Sequence, residues 1–299
     1  MAEIRGIISA MLTPFTSDVG PVDYEWLPGY LQFLAAGGLH GVLALGTTGE
    51  GPSMSVAERT RVLEIIMQYR GELSVIAGTG CAALTDTIAL SRVAIDLGVD
   101  AILVMPPFYI KNPGDTGVLA YFRALCDALP AEARVMLYHI PQVTGVPITT
   151  TIIDGLLESH PGQFFGLKDS SGDWEHSRML IDRYPQLRIF TGSDRLIARA
   201  LAGGAAGAIT ALSSAFPHLA RAVFDAFTNG GDVSAAQARL SAVRDLIDPI
   251  NTPPALKAAL AWTSNLPETT VRLPLLPLSN EAAKELRIAY ERIVGEGNG

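Results

Sequence analysis

The chain predicts an α/β fold, a (β/α)8 TIM barrel with additional C-terminal helices. Short β-prone runs recur eight times, each is almost wholly apolar, and segments with helical spacing separate them. A strand with one wet face would alternate polar and apolar residues, so uninterrupted apolar runs indicate a parallel sheet covered by helices. Eight such units within about 210 residues favour a closed barrel over an open doubly wound sheet.

The first run is GIISAML at 6–12, and Asp23 is the candidate cap of the helix after it. GVLALG at 41–46 is followed by VAERTRVLEIIMQY, with Ser55 as cap and Gly71 as stop. LSVIAG at 73–78 leads to LTDTIALSRVAIDLG, capped by Thr85 and stopped by Gly98. DAILVMP at 100–106 precedes GVLAYFRALCDAL, with Asp115 as its cap. RVMLYH (134–139), FFGLK (164–168), LRIFTG (187–192) and AAGAIT (205–210) complete the set. Beyond residue 212 the strand signals stop, and helical segments follow at 216–228, 233–248, 254–263 and 280–293, with Gly230 as a stop. The chain therefore divides into a barrel over 1–212 and a helical extension over 213–299. The proline-containing segment NLPETTVRLPLLPLS reads as a connector. The competing fold is a dinucleotide-binding one, but AGTGCA at 77–82 lacks the full G-x-G-x-x-G spacing and a later acidic partner placed after a strand.

With 22 Lys and Arg against 30 Asp and Glu, the formal charge of −8 provides no broad positive field for nucleic acid or an anionic membrane. No apolar stretch is long enough to span a bilayer, and the N-terminus meets Pro14 before it could form a signal sequence, so a soluble cytoplasmic protein is expected. Cys81 and Cys126 form no CxxC pair; Cys126 reads as a small buried hydrophobe, and neither a metal nor another cofactor is implied.

In a barrel of this class chemistry gathers at the C-terminal ends of the strands. There the second run ends in GTTGEG with Thr47, Thr48 and Gly49 in a tight turn, the fifth in YHIP with Tyr138, and the sixth in GLKDSSGD with Lys168. Only a neutral amine attacks a ketone carbonyl to make an imine, and an apolar strand tip favours that form. The alternative for Lys168 is a solvated side chain paired with Asp169. Tyr138 is suited to proton relay, or else it packs and satisfies one hydrogen bond. The threonine pair offers hydroxyls and turn amides to a carboxylate, or serves only as a turn; Glu50 reads as a structural carboxylate that fixes it.

GTTGE, YHIP and LKDSSGD, in this order and spacing, resemble the dihydrodipicolinate synthase and N-acetylneuraminate lyase family of class I aldolases, and the similarity runs from GIISAMLTPF to PPALKAAL and LPLLPLS. The resemblance implies Lys168 as the Schiff-base lysine, Tyr138 as the tyrosine above it, Thr47 as a proton-passing hydroxyl and Thr48 as a clamp on the carboxylate of a 2-oxo acid, usually pyruvate. It implies that Tyr109 in PPFYIKN crosses a subunit interface into a neighbouring site, within a homotetramer built as a dimer of dimers. Gly192, Ser193 and Asp194 match positions facing the rest of the ligand, with Ser170 beside them; Ile209 and Thr210 match the eighth strand tip near the oxo acid. Where the lysine-biosynthetic synthases carry an arginine after YxxP, this chain has Val143, which cannot replace a bidentate carboxylate clamp. KDSSGD resembles instead aldolases that cleave 2-keto-3-deoxy sugar acids or 4-hydroxy-2-oxoglutarate to pyruvate and an aldehyde. A dehydratase working from the same imine is the second expectation, and a non-catalytic oxo-acid-binding barrel the third. Arg195, Lys111 and His139 are the candidates for holding a second carboxylate on the substrate.

Overall fold

The computed structural model describes residues 3–295; the first two and last four residues of the expected barrel and extension lie outside them. Eight parallel strands close into a barrel: β1 (Gly6–Ala10), β2 (Gly41–Ala44), β3 (Ser74–Gly78), β4 (Ala101–Val104), β5 (Val135–His139), β6 (Phe164–Asp169), β7 (Arg188–Thr191) and β8 (Gly207–Thr210). Each pairs with the next, and β8 returns to β1 through Ile8 opposite Ile209 and Ser9 opposite Thr210. All eight expected runs are strands, four of them trimmed at their C-terminal ends. After β2, for example, Leu45 turns into the left-handed region at φ 61° and begins the mouth loop.

Closure explains why the strands are apolar on both faces. Ile8, Leu43, Ile76, Met136, Phe190 and Ile209 point into the barrel. Their neighbours Ile7, Val42, Val75, Ile102, Leu137 and Leu167 point outward against the helices. Each such side chain, wholly removed from water, contributes ~1.5–3 kcal/mol of transfer free energy. Cys126 belongs to the outer layer and is 2% exposed, as expected of a small hydrophobe.

Among the expected caps, Ser55 forms a full capping box with Glu58 at the start of Val56–Tyr69. The other three need correction. The helix Leu27–Ala36 begins after Trp26, while the Asp23 amide is tied back to the Pro14 carbonyl. Thr85 lies inside the first turn of Leu84–Asp96, and Asp115 inside that of Gly114–Asp127, where its carboxylate accepts the Thr149 hydroxyl at 2.7 Å. A tertiary partner thus took the acid that sequence assigned to local capping. The three glycine stops hold; Gly230, at φ 75°, ends Pro217–Asn229 in the left-handed conformation that glycine adopts without strain.

The four C-terminal helices are Pro217–Asn229, Val233–Ile247, Thr252–Thr263 and Asn280–Gly295. The third opens on Pro253 and Pro254, which suit a first helical turn because its amides lack helical acceptors. The following connector runs back along the barrel mouth, bridging Thr270 to Phe15 and otherwise remaining non-strand. No described helix is long and apolar enough to cross a membrane.

Candidate active site

Strand pairing creates the centre of the site. The register sets Tyr138 on β5 directly opposite Lys168 on β6, and side chains paired across neighbouring strands share a face. Both point inward and are nearly inaccessible, at 5% and 4% exposure. The Lys168 Nζ lies 3.4 Å from the Tyr138 hydroxyl and 4.5 Å from the centre of its ring. This geometry excludes a solvated Lys168 paired with Asp169. Burial alone would raise the Tyr138 phenol, but the Lys168 charge and hydrogen bonding to Thr47, Ser170 and Lys168 outweigh it and hold the phenol below its ordinary value.

Lys168 and Tyr138 open onto a cavity of about 510 Å3 at the C-terminal end of the barrel. Thr47 and Thr48 line it from the β2 turn; Ser170, Gly192, Ser193 and Asp194 line it from the ends of β6 and β7, and Ile209 from β8. Gly192 is required by close approach, since a Cβ there would stand 1.9 Å from the Ser170 Oγ. Two expected residues lie elsewhere. Thr210 is fully buried below the cavity, 3.4 Å from the Ser213 hydroxyl, and Tyr109 is 78% exposed and does not line the cavity. Val143 points to solvent at 54% exposure; from the same turn it is Gln142, also uncharged, that faces the cavity while donating to the Ser170 carbonyl at 2.7 Å.

The threonine turn is held from outside. Its glycine carbonyl at Gly49 accepts the Thr13 hydroxyl at 2.8 Å, and Glu50 adopts a left-handed φ of 55°, unusual for a residue with a side chain. The Glu50 carboxylate accepts from the Lys257 Nζ at 2.6 Å and from the Arg272 amide at 2.9 Å. Both ends of the Lys257–Glu50 pair are 2% exposed. Burial pulls the lysine down to about 8 even with Glu50 opposite. The structural role expected of Glu50 is present, and its partners come from the C-terminal region.

One residue past Tyr138 and Lys168, the strands turn their side chains the other way. Asp169 and His139 consequently face the helix layer. The Asp169 carboxylate is bonded to His176 at 3.0 Å, the Ser177 hydroxyl at 2.6 Å and the Ser171 amide at 3.0 Å. His139 stacks on His176 with ring centres 4.4 Å apart and accepts the Ile148 amide at Nδ1. Asp169, His139 and His176 bring potential metal-binding atoms within 4.8 Å of one another. Protein donors already occupy both Asp169 oxygens and the His139 Nδ1, so the trio is a satisfied hydrogen-bonded network behind the cavity.

Sequence reasoning missed the far wall. Arg244, Asp248, Asn251 and Thr252 line the cavity from the C-terminal helices and the turn between them. No strand tip announces these residues, and the helical spacing that places them carries no chemical signature.

The model of the dihydrodipicolinate synthetase family matches residues 3–293. An uncharacterized DapA-like lyase of Chloroflexus aurantiacus is 88% identical over 294 residues, covering 98% of both chains. A 4-hydroxy-tetrahydrodipicolinate synthase of Sorangium cellulosum is 33% identical over 297 residues, covering 97% of this chain and 96% of its own. Among solved structures, the Escherichia coli prophage protein YagE in complex with pyruvate superposes with a TM-score of 0.90 at 25% identity, covering 98% of this chain and 99% of its own. Together with the eight-stranded barrel, these matches establish that the chain belongs to the dihydrodipicolinate synthetase family.

Proposed function

We propose that the protein is a Schiff-base lyase that cleaves a 4-hydroxy-2-oxo acid to pyruvate and an aldehyde. The observation that carries this reading is the buried Lys168 amine 3.4 Å from the Tyr138 hydroxyl at the floor of an open cavity. Binding of pyruvate by a structural relative supports the choice of oxo acid.

The Lys168 amine adds to the 2-oxo carbon, and loss of water from the carbinolamine gives an iminium. Tyr138, as phenolate, takes the proton of the C4 hydroxyl. The C3–C4 bond then breaks: its electrons move into the iminium to form an enamine, and the aldehyde departs. Protonation at C3 and hydrolysis release pyruvate and restore the amine. No external oxidant or reductant enters. Thr47 relays the proton through its bond to Tyr138, and Thr48 with the turn amides holds the oxo-acid carboxylate. Ile209, with Thr210 behind it, walls the oxo acid, while Ser170, Gly192, Ser193 and Asp194 face the tail. Tyr109 enters from a second copy in a homotetramer and extends the relay.

Lys168→Ala should abolish borohydride-dependent trapping of pyruvate; trapping that persisted would move the imine elsewhere. Tyr138→Phe should still form the reduced adduct but turn over ~10²-fold more slowly or worse. Pyruvate release from 2-keto-3-deoxygluconate, its galactonate epimer and 4-hydroxy-2-oxoglutarate establishes cleavage. Failure on all three with trapping intact would redirect the assignment to dehydration, or to synthesis with aspartate semialdehyde.

A further inference from the structure

A second cavity, of about 340 Å3, shares no lining residue with the one at Lys168. It lies between the helices Thr252–Thr263 and Asn280–Gly295 and the connector that joins them. Pro254, Ala258 and Ala261 line it from one face of the first helix, and Leu278 and Ala283 from the connector and the second helix. An apolar lining of this size with a few polar groups is the usual form of a small-molecule site.

The polar groups decide what the cavity takes. Lys257 lines it, but its ammonium is already engaged: it donates to Glu50 and to the Thr270 carbonyl, both at 2.6 Å, and stands 4.4 Å from the centre of the Phe15 ring. The Thr269 hydroxyl accepts the Phe15 amide and donates to the Phe15 carbonyl. The start of Asn280–Gly295 offers little to an anion, because Ser279 accepts the Ala282 and Ala283 amides and Glu281 places a negative charge in the first turn. What remains is acceptor capacity. The Glu268 carboxylate, the Thr270 hydroxyl and the Asn280 side-chain amide all line the cavity, and among the described residues none of these groups has a hydrogen-bond or ion-pair partner. A primary ammonium group carries three N–H donors, and each of these three groups can accept one.

The connector also walls the mouth of the barrel. Val271, Pro277 and Leu278 face the second cavity, Leu275 lines the cavity at Lys168, and the Arg272 amide holds Glu50 at 2.9 Å. We propose that the second cavity is an effector site for a primary aliphatic ammonium ion, bound through Glu268, Thr270 and Asn280 with its alkyl chain against Ala258 and Ala261. An occupant that fixes the connector also fixes the bonds from Thr270 through Lys257 to Glu50, and so the threonine turn. By linkage, a ligand at the mouth tightens the effector by the same factor as the effector tightens it. Binding at this site requires no chemistry at Lys168.

The full-length protein, free of oxo acid, is titrated at neutral pH with n-butylamine hydrochloride by ligand-observed NMR. A Kd of ~1 mM is expected for a ligand of this size, with sodium butyrate at least ~10-fold weaker. Glu268→Gln should weaken the amine ~3-fold or more, and Ala261→Phe, which fills the alanine face, should abolish binding while the Tm without ligand verifies the fold. No binding overturns the proposal, as does butyrate binding as tightly as the amine. Affinity unchanged in both variants places the amine elsewhere and overturns it too. Protein carrying pyruvate reduced onto Lys168, freed of excess pyruvate, should bind the amine ~5-fold more tightly; equal affinity overturns the effector role. Failure to trap pyruvate at all would count against the imine at Lys168 and leave the binding titrations standing.

Discussion

Lys168 and Tyr138 owe their setting partly to the residues that follow them, which point the other way. His139 is buried against His176, and burial lowers it to about 4 although Asp169 opposes the shift. A histidine lowered on folding stays neutral while the unfolded chain takes up a proton. Its contribution is therefore fully present above the ordinary value of about 6.5 and is lost as pH falls from there to about 4. His176 shifts upward because Asp169 hydrogen-bonds to it, so its contribution is present below about 6.5 and lost as pH rises through its folded value. Asp169, whose hydrogen bonds to His176, Ser177 and Ser171 outweigh its burial, contributes above its ordinary value and loses that contribution on further acidification. The three windows separate on a pH axis. In thermal melts from pH 7 to 4, His139→Asn should flatten the fall in Tm between about 6.5 and 4, because an asparagine oxygen can still accept the Ile148 amide and takes up no proton. An undiminished slope would assign that acid sensitivity to other groups.

At the scale of elements, the threonine turn depends on the helix Thr252–Thr263. Removing two charges from water as completely as at Lys257 and Glu50 offsets most of their attraction, so the pair contributes geometry more than net stability. Breaking it from one side strands the other charge. Lys257→Met should cost ~3–5 kcal/mol in unfolding free energy and raise KM for the 2-oxo acid substrate more than it lowers kcat, because Thr47 and Thr48 adjoin the left-handed Glu50. The double variant Lys257→Met with Glu50→Gln should recover much of the stability while KM remains high. Recovery of both would reduce the pair to a packing feature, and recovery of neither would locate the cost in the lost bond from the Lys257 Nζ to the Thr270 carbonyl. Elements were also where the sequence was most legible. Eight apolar runs declared the strands, and three strand tips declared Thr47, Tyr138 and Lys168, because periodicity and position are local properties. The caps at Asp23, Thr85 and Asp115 misled, since a local motif says nothing of tertiary competitors such as Thr149. Arg244 and Asp248 were illegible because they reach the mouth only through the packing of helices remote in sequence.

At the scale of the whole molecule, the cavity of one chain does not include Tyr109, which stands 78% exposed beside Ile110 at 60%. If Tyr109 serves the site of a neighbour, two disabled variants should repair each other. Lys168→Ala lacks the amine but retains Tyr109, and Tyr109→Phe retains the amine. Co-refolded as equimolar mixed oligomers, they should regain roughly a quarter of wild-type activity, the share of complete sites expected from random pairing. No gain over the separate variants would confine each site to one chain. The whole-chain view also bears on biosynthesis. A chain leaves the ribosome from its N-terminus, and all eight strands precede residue 211, whereas Lys257 and the Arg272 amide that hold Glu50 are translated later. A nascent barrel therefore reaches the tunnel exit with Lys168 in place and its threonine turn still unbraced. If Lys168 captures an oxo acid, competence to do so should arrive abruptly, only once the segment from Lys257 to Arg272 has joined the barrel.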